Sequence, residues 1–147
     1  MAWWDKLGVL GKRVDKAAAN LPQTAAGGLF TISGGRILLT AIVGEVTTII
    51  QNIAVNAKLN AAPTTGGGAD ICANLNIQNF AVGRLLGITG VPADAMVSLG
   101  GVVAIMTQPF VLKPGTLQMT TDANATGQVK WSLFYQPIDD EANVVAA

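Results

Sequence analysis

The chain has 147 residues, half of them hydrophobic, with only 12% Asp, Glu, Lys and Arg, a formal net charge of zero, one cysteine and no histidine. That length suits one domain with a substantial core. The missing histidine excludes a Ser-His-Asp triad, a Cys-His pair and histidine-rich metal sites, the single cysteine excludes an intrachain disulfide, and the balanced charge argues against a nucleic-acid partner.

An average soluble domain carries roughly 25% charged residues. A chain with so few, and a mean hydropathy of +0.45, either covers its surface with Asn, Thr, Ser and Gln or buries much of it against neighbours. Past Lys16 the basic residues are scattered singly, at Arg36, Lys58, Arg84, Lys113 and Lys130.

The opening Met-Ala-Trp-Trp-Asp lacks the basic-then-apolar order of a secretory signal. Synthesis and folding in a reducing cytoplasm are therefore expected. Residues 1–22 read as an amphipathic arm, helical or extended, ahead of a sandwich domain at 23–147. Trp3, Leu7, Leu10, Val14 and Ala17 recur at spacings of 4, 3, 4 and 3, a helical stripe that matches a two-heptad seam. Gly8 and Gly11 weaken such a helix, and two heptads are too short to stand alone. The arm is thus expected to order on a docking surface. Pro22 ends it. Trp3 and Trp4 are costly to expose. They either fold back on the sandwich, lie in a membrane interface beside Lys6, Lys12, Arg13 and Lys16, or anchor the arm on another protein, tryptophan being enriched at interface hot spots. The last option makes Trp3, Trp4, Leu7, Leu10 and Val14 the candidate interaction residues.

From residue 24 onward the pattern is that of strands. Leu29 to Ser33, Ile37 to Val43 and Val46 to Ile50 are candidates separated by glycine pairs or Gly44-Glu45. The stretch 35–55 has the length of a membrane span, but Glu45 at its middle and the abundance of Thr, Val and Ile favour strand. Ile53, Val55, Ala57 and Leu59 alternate with polar or small residues, as do Ile71, Ala73, Leu75 and Ile77, giving two faces with period two. Asn52, Asn56, Asn60, Asn74 and Asn76 line one polar face. The intervening 61–70 is a loop by composition.

Phe80 to Ile88 and Val102 to Met106 add two candidates, with a turn at Val91-Pro92-Ala93-Asp94 that could open a short helix. Phe110 and Leu112 lead through Pro114-Gly115, residues suited to a type II turn, into a strand at Leu117 to Thr121. Val129, Trp131, Leu133 and Tyr135 alternate with Lys130, Ser132, Phe134 and Gln136, and Pro137 stops that strand. About eight strands with turns at short intervals predict an all-β, antiparallel β-sandwich.

Residues able to do chemistry are few. Cys72 sits in an apolar run and reads as a small buried side chain. Asp70, Asp94 and Asp122 stand beside Gly, Pro or Asn, where Asp makes turns. Asp139-Asp140-Glu141 reads as a solvated edge; its oxygens suit calcium, but no EF-hand spacing is present. The glycine clusters carry no phosphate-binding spacing. No catalytic residue, metal ligand or cofactor is assigned.

The run PFVLKPGTLQMTTDANATGQVKWSLFYQPIDDEANVV, Pro109 to Val145, resembles the closing strands of small virion proteins of tailed bacteriophages, the cement or decoration proteins with a jelly-roll-like sandwich. The shared features are the Pro-Gly turn, the Asn/Thr/Gly turn, the aromatic strand Lys-Trp-Ser-Leu-Phe-Tyr and the Pro-led acidic ending. The resemblance implies a jelly-roll-like fold, self-association as a homo-trimer or homo-dimer, and binding to a major capsid protein on the outer surface of a virion. It implies no catalytic residue, and the charge pattern and Glu45 leave no nucleic-acid partner and no membrane expected. Other expectations to be weighed are a head fibre base or tail component, a carbohydrate-binding sandwich, and a small hydrolase using Asp or Glu.

Overall fold

The computed structural model describes residues 10–147. In chain order the strands are β1 (Lys12–Asn20), β2 (Ala26–Ser33), β3 (Ile37–Thr48), β4 (Asn56–Pro63), β5 (Ala69–Asp70), β6 (Leu75–Asn76), β7 (Leu85–Leu86), β8 (Phe110–Leu112), β9 (Gly115–Thr121), β10 (Gln128–Pro137) and β11 (Asn143–Ala146). All pair antiparallel in two sheets, one ordered β1-β10-β3-β7 with β8 also on β3, the other β11-β2-β9-β4-β5 with β6 also on β4. The fold class is the all-β sandwich that the alternation predicts.

The connectivity is more specific than a sandwich. β5 and β6 share one edge of β4, and β7 and β8 share one edge of β3. Counting each such pair as one strand position leaves eight positions before β11. They lie 1-8-3-6 in the first sheet and 2-7-4-5 in the second, the order of a jelly roll with its two Greek keys.

The sequence makes these strands because one face of each is apolar. In β10, Val129, Trp131, Leu133 and Tyr135 are buried, whereas Lys130, Ser132, Phe134 and Gln136 face outward. β9 buries Leu117 and Met119, and β4 buries Ala57 and Leu59. With Phe30, Ile37, Leu39 and Ile42 these residues fill the space between the sheets. One edge of the sandwich is closed by Lys16, whose Nζ donates to the Ala147 carbonyl at 2.7 Å. At one end Gly34 takes φ +78° and packs so tightly on the Glu141 carbonyl that no side chain fits, and next to it Arg36 grips Asp139.

Several expectations are corrected. Of the two forms expected for the arm, residues 12–20 take the extended one, and the helical stripe is not formed there. The stripe through Val14 belongs to an edge strand whose Val14 faces Leu133 across the ladder and whose Lys16 faces Trp131. The sandwich therefore includes residues ahead of the expected boundary at 23. The two candidates on either side of Gly44 are one strand, β3. Residues 102–106 form no strand. Val91 to Asp94 is a turn closed by the Asp94 N–H on the Val91 carbonyl at 3.0 Å, with no helix after it. The run at 71–77 is broken into short pairings with β4 on either side of a bridge at Ala73. No helix among the described residues is long and apolar enough to cross a membrane, and Glu45 lies on β3 paired with Lys130 at 3.0 Å.

Candidate interaction surface

Four of the acids nearest to loops and turns, Asp70, Asp94, Asp122 and Asp139, are occupied by structural bonds. Asp122 accepts from the backbone N–H and the Nδ2 of Asn56, both at 2.8 Å, and these bonds hold its carboxyl below the usual range. Asp94 accepts from Thr89 Oγ1 at 2.8 Å, and Asp70 pairs with Lys58 at 2.9 Å. Asp139 accepts from the Arg36 Nε, Nη2 and backbone N–H, and Arg36 lowers its pKa from the ordinary 3.8 to about 2. Among the described residues no three His, Cys, Asp or Glu side chains cluster in a way that could hold a metal ion.

Cys72 is a free thiol, buried at 1% exposure. It accepts from the Leu59 N–H at 3.2 Å, and burial raises its pKa, the opposite of what activates a nucleophile. Part of the asparagine face is a hydrogen-bonded surface rather than a ligand site. Asn60 Nδ2 donates to Gln118 Oε1 at 3.1 Å and its Oδ1 accepts from Thr120 at 2.7 Å. Gln78 donates to Asn52 at 2.8 Å.

What stands out is apolar. Between β6 and β9 the chain joins a sheet only at the short β7 and β8, and five large hydrophobic side chains of this stretch point to solvent: Val82, Leu99, Val102, Ile105 and Val111. Leu99 is 75% exposed and Val102 66%. The stretch is nevertheless built, not loose. Leu85 N–H donates to the Gly100 carbonyl at 2.6 Å, Gly87 and Val97 exchange both backbone bonds, and Thr107 N–H donates to the Thr89 carbonyl at 3.0 Å. Arg84 stacks over the Phe80 ring at 4.0 Å and donates to Ser98 Oγ at 2.8 Å.

The patch continues onto the first sheet, where exposed Val111 of β8 lies opposite half-buried Leu38 of β3. Two hollows open along it. One, of about 310 Å³, is lined by Leu10, Leu38, Thr40, Ile105, Met106 and Pro109 among others. The other, of about 240 Å³, is lined by Ile88, Val97, Leu99, Val103, Ala104 and Ile105 among others. They share Ile105 and Thr107, and neither has an ionisable side chain in its wall.

Of the arm residues singled out in the sequence, Trp3, Trp4 and Leu7 lie outside the described residues. Leu10 lines the first hollow, and its carbonyl accepts from Thr40 Oγ1. Val14 is half-buried against the core in β1. The exposed set at Leu99, Val102 and Ile105 escaped sequence reasoning. A run such as Val102 to Met106 reads as a core strand, and only three-dimensional placement separates a buried apolar run from an exposed one.

Comparison with protein-family models, curated proteins and solved structures returns no match.

Proposed function

We propose that this chain is a structural virion protein of the cement or decoration type, an oligomer that binds a major capsid protein on the outer shell and acts through surface burial rather than catalysis. The observation that carries this reading is the set of exposed apolar side chains Leu99, Val102, Ile105 and Val111. Large apolar side chains left exposed on a chain that already has a complete core support a protein interface. The low charge content points the same way. Repetition over many copies multiplies a modest contact into a strong one.

The jelly-roll order is compatible with this role, but it also occurs in lectin domains, and fold alone does not choose a function. A carbohydrate site wants exposed aromatic rings. Among the described residues Phe30, Trp131 and Tyr135 are buried and Phe80, Phe110 and Phe134 half-buried, which disfavours the sugar-binding alternative.

The test is the solution mass of the full chain by light scattering, together with co-sedimentation with capsid shells. A dimer or trimer that falls to monomer in Leu99→Lys/Val102→Lys, with unchanged circular dichroism and lost shell binding, is the expected result. A full chain that stays monomeric at all concentrations and never sediments with shells overturns the proposal.

A further inference from the structure

A third hollow, of about 250 Å³, is lined by an edge strand from each sheet, β5 at Ala69 and Asp70 and β8 at Phe110, Val111 and Leu112. Ile32, Ala62, Ile71 and Pro92 contribute an apolar wall. Successive side chains of a strand point to opposite faces. A hollow that touches three consecutive residues of β8 therefore runs along its edge rather than over one face. That edge is open, because among the described residues β8 pairs with β3 alone. An open strand edge beside a pocket for a side chain is the geometry that takes an added strand, with main-chain bonds along the edge and the pocket reading alternate side chains.

The rims of this hollow are held by the fold. Thr64 N–H donates to the Pro114 carbonyl and Ile71 N–H to the Leu59 carbonyl, both at 3.0 Å. Leu112 is buried in the core and anchors β8 from beneath. A preformed seat spares an incoming segment part of the ordering cost of binding.

Charge says what the segment carries. The ionisable side chains at this hollow are Asp70 and Lys113. Asp70 is matched by Lys58 at 2.9 Å. Lys113 follows β8 directly, is exposed, and makes no ion pair among the described residues. Its Nζ stands 3.5 Å from where a Cβ of Gly66 would lie, beside the loop that supplies Gly67 to the wall. The hollow thus offers an apolar trough with one unmatched positive charge. Its complement is a segment with an apolar side chain and, two residues along on the same face, a carboxylate.

We propose that β8 is the docking edge for an extended segment of a partner protein, added as a strand, with an apolar side chain in this hollow and an Asp or Glu side chain on Lys113. β8 has three residues, about 10 Å at ~3.3 Å per residue, so the recognised segment is short. This seat goes beyond the assembly reading and stands whether or not the chain associates with itself.

The test is a titration of the isotope-labelled full chain with a blocked pentapeptide, Thr-Leu-Thr-Asp-Thr, followed through amide chemical shifts. Saturable shifts at residues 69–71 and 110–113 are expected. The peptide with Lys in place of Asp should bind about tenfold more weakly, the cost of losing one charge-assisted contact. Lys113→Glu, a change on an exposed side chain, should reverse that preference. The N-methylated form of the same peptide lacks main-chain donors and should lose the shifts. No shifts at millimolar peptide, or shifts confined to other residues, overturn the proposal. Equal binding of the Asp and Lys peptides overturns the pairing with Lys113, and equal binding of the N-methylated form overturns strand addition. If the amides of 110–113 move on dilution of Leu99→Lys/Val102→Lys with no peptide present, the edge serves a second copy instead, which also overturns it.

Discussion

A side chain at position 44 would collide with an indole. A Cβ there would lie 2.8 Å from Cζ3 and 2.9 Å from Cε3 of Trp131, the residue directly opposite in the ladder. Gly44 is thus a packing residue in mid-strand, where another group approaches its backbone. In the sequence Gly44-Glu45 looks like punctuation, because local composition cannot say that a ring from a distant strand needs the space. Gly44→Ala should destabilise the fold by about 1–3 kcal/mol, the range for overpacking a filled core. A lowered urea midpoint at unchanged m-value, together with altered Trp131 emission, would record it. Cys72 gives a second expectation at this scale. Its burial and raised pKa should protect it from iodoacetamide in native buffer, and modification should appear only across the unfolding transition.

At the scale of elements, the strands easiest to read were those with one buried and one wet face. β9 and β10 keep period two almost throughout, and the Phe110 to Leu112 segment and Leu117 to Thr121 appear where their spacing puts them. At β1 the helical spacing misleads for a physical reason. β1 is an edge strand with a register shift between Lys16 and Ala19, and only Val14 along it packs on the core, so no alternation survives to compete with the accidental helical spacing. β11 was invisible because only Val144 of its four residues is buried.

Irregular elements are held by side chains, and the tie between Arg36 and Asp139 shows how. It joins the turn between β2 and β3 to the segment that follows β10. Because folding lowers the Asp139 pKa from 3.8 to about 2, the carboxylate contributes stability that is fully present above about pH 4. That contribution is lost as pH falls from there toward 2. Asp139→Asn should flatten this part of the acid-unfolding profile and lower stability at neutral pH, while leaving behaviour near pH 2 close to that of the parent chain. Thermal melts at stepped pH would show both effects.

At the scale of the whole molecule, the charge census and the apolar patch describe one property. The self-association proposed here rests on apolar area and uncharged hollows, so screening has little to act on. Raising NaCl from about 0.05 to 1 M, which shortens the Debye length to ~3 Å, should leave the oligomer mass in light scattering unchanged, and sulfate should favour the assembled form. Dissociation by salt would point to ion pairs such as Arg13–Asp15, exposed on β1, as the true contacts. The scarcity of charge was legible in composition alone, and with it the room for an exposed apolar patch. Its position was not, because it depends on which apolar run the two sheets leave uncovered.

The pairing of β1 with β10 also sets the order in which the molecule can form. Lys12 waits for Tyr135, and nearly every residue between them must be synthesised before that ladder closes. Topologies dominated by such distant contacts fold slowly. Until closure, β10 presents an unpaired edge beside the apolar faces of half-built sheets, a species open to misassembly in a crowded cell. The same architecture that gives the finished sandwich its sealed core therefore makes its nascent form depend on rapid completion of the chain, and β1, first of the strands to emerge, is among the last to find its place.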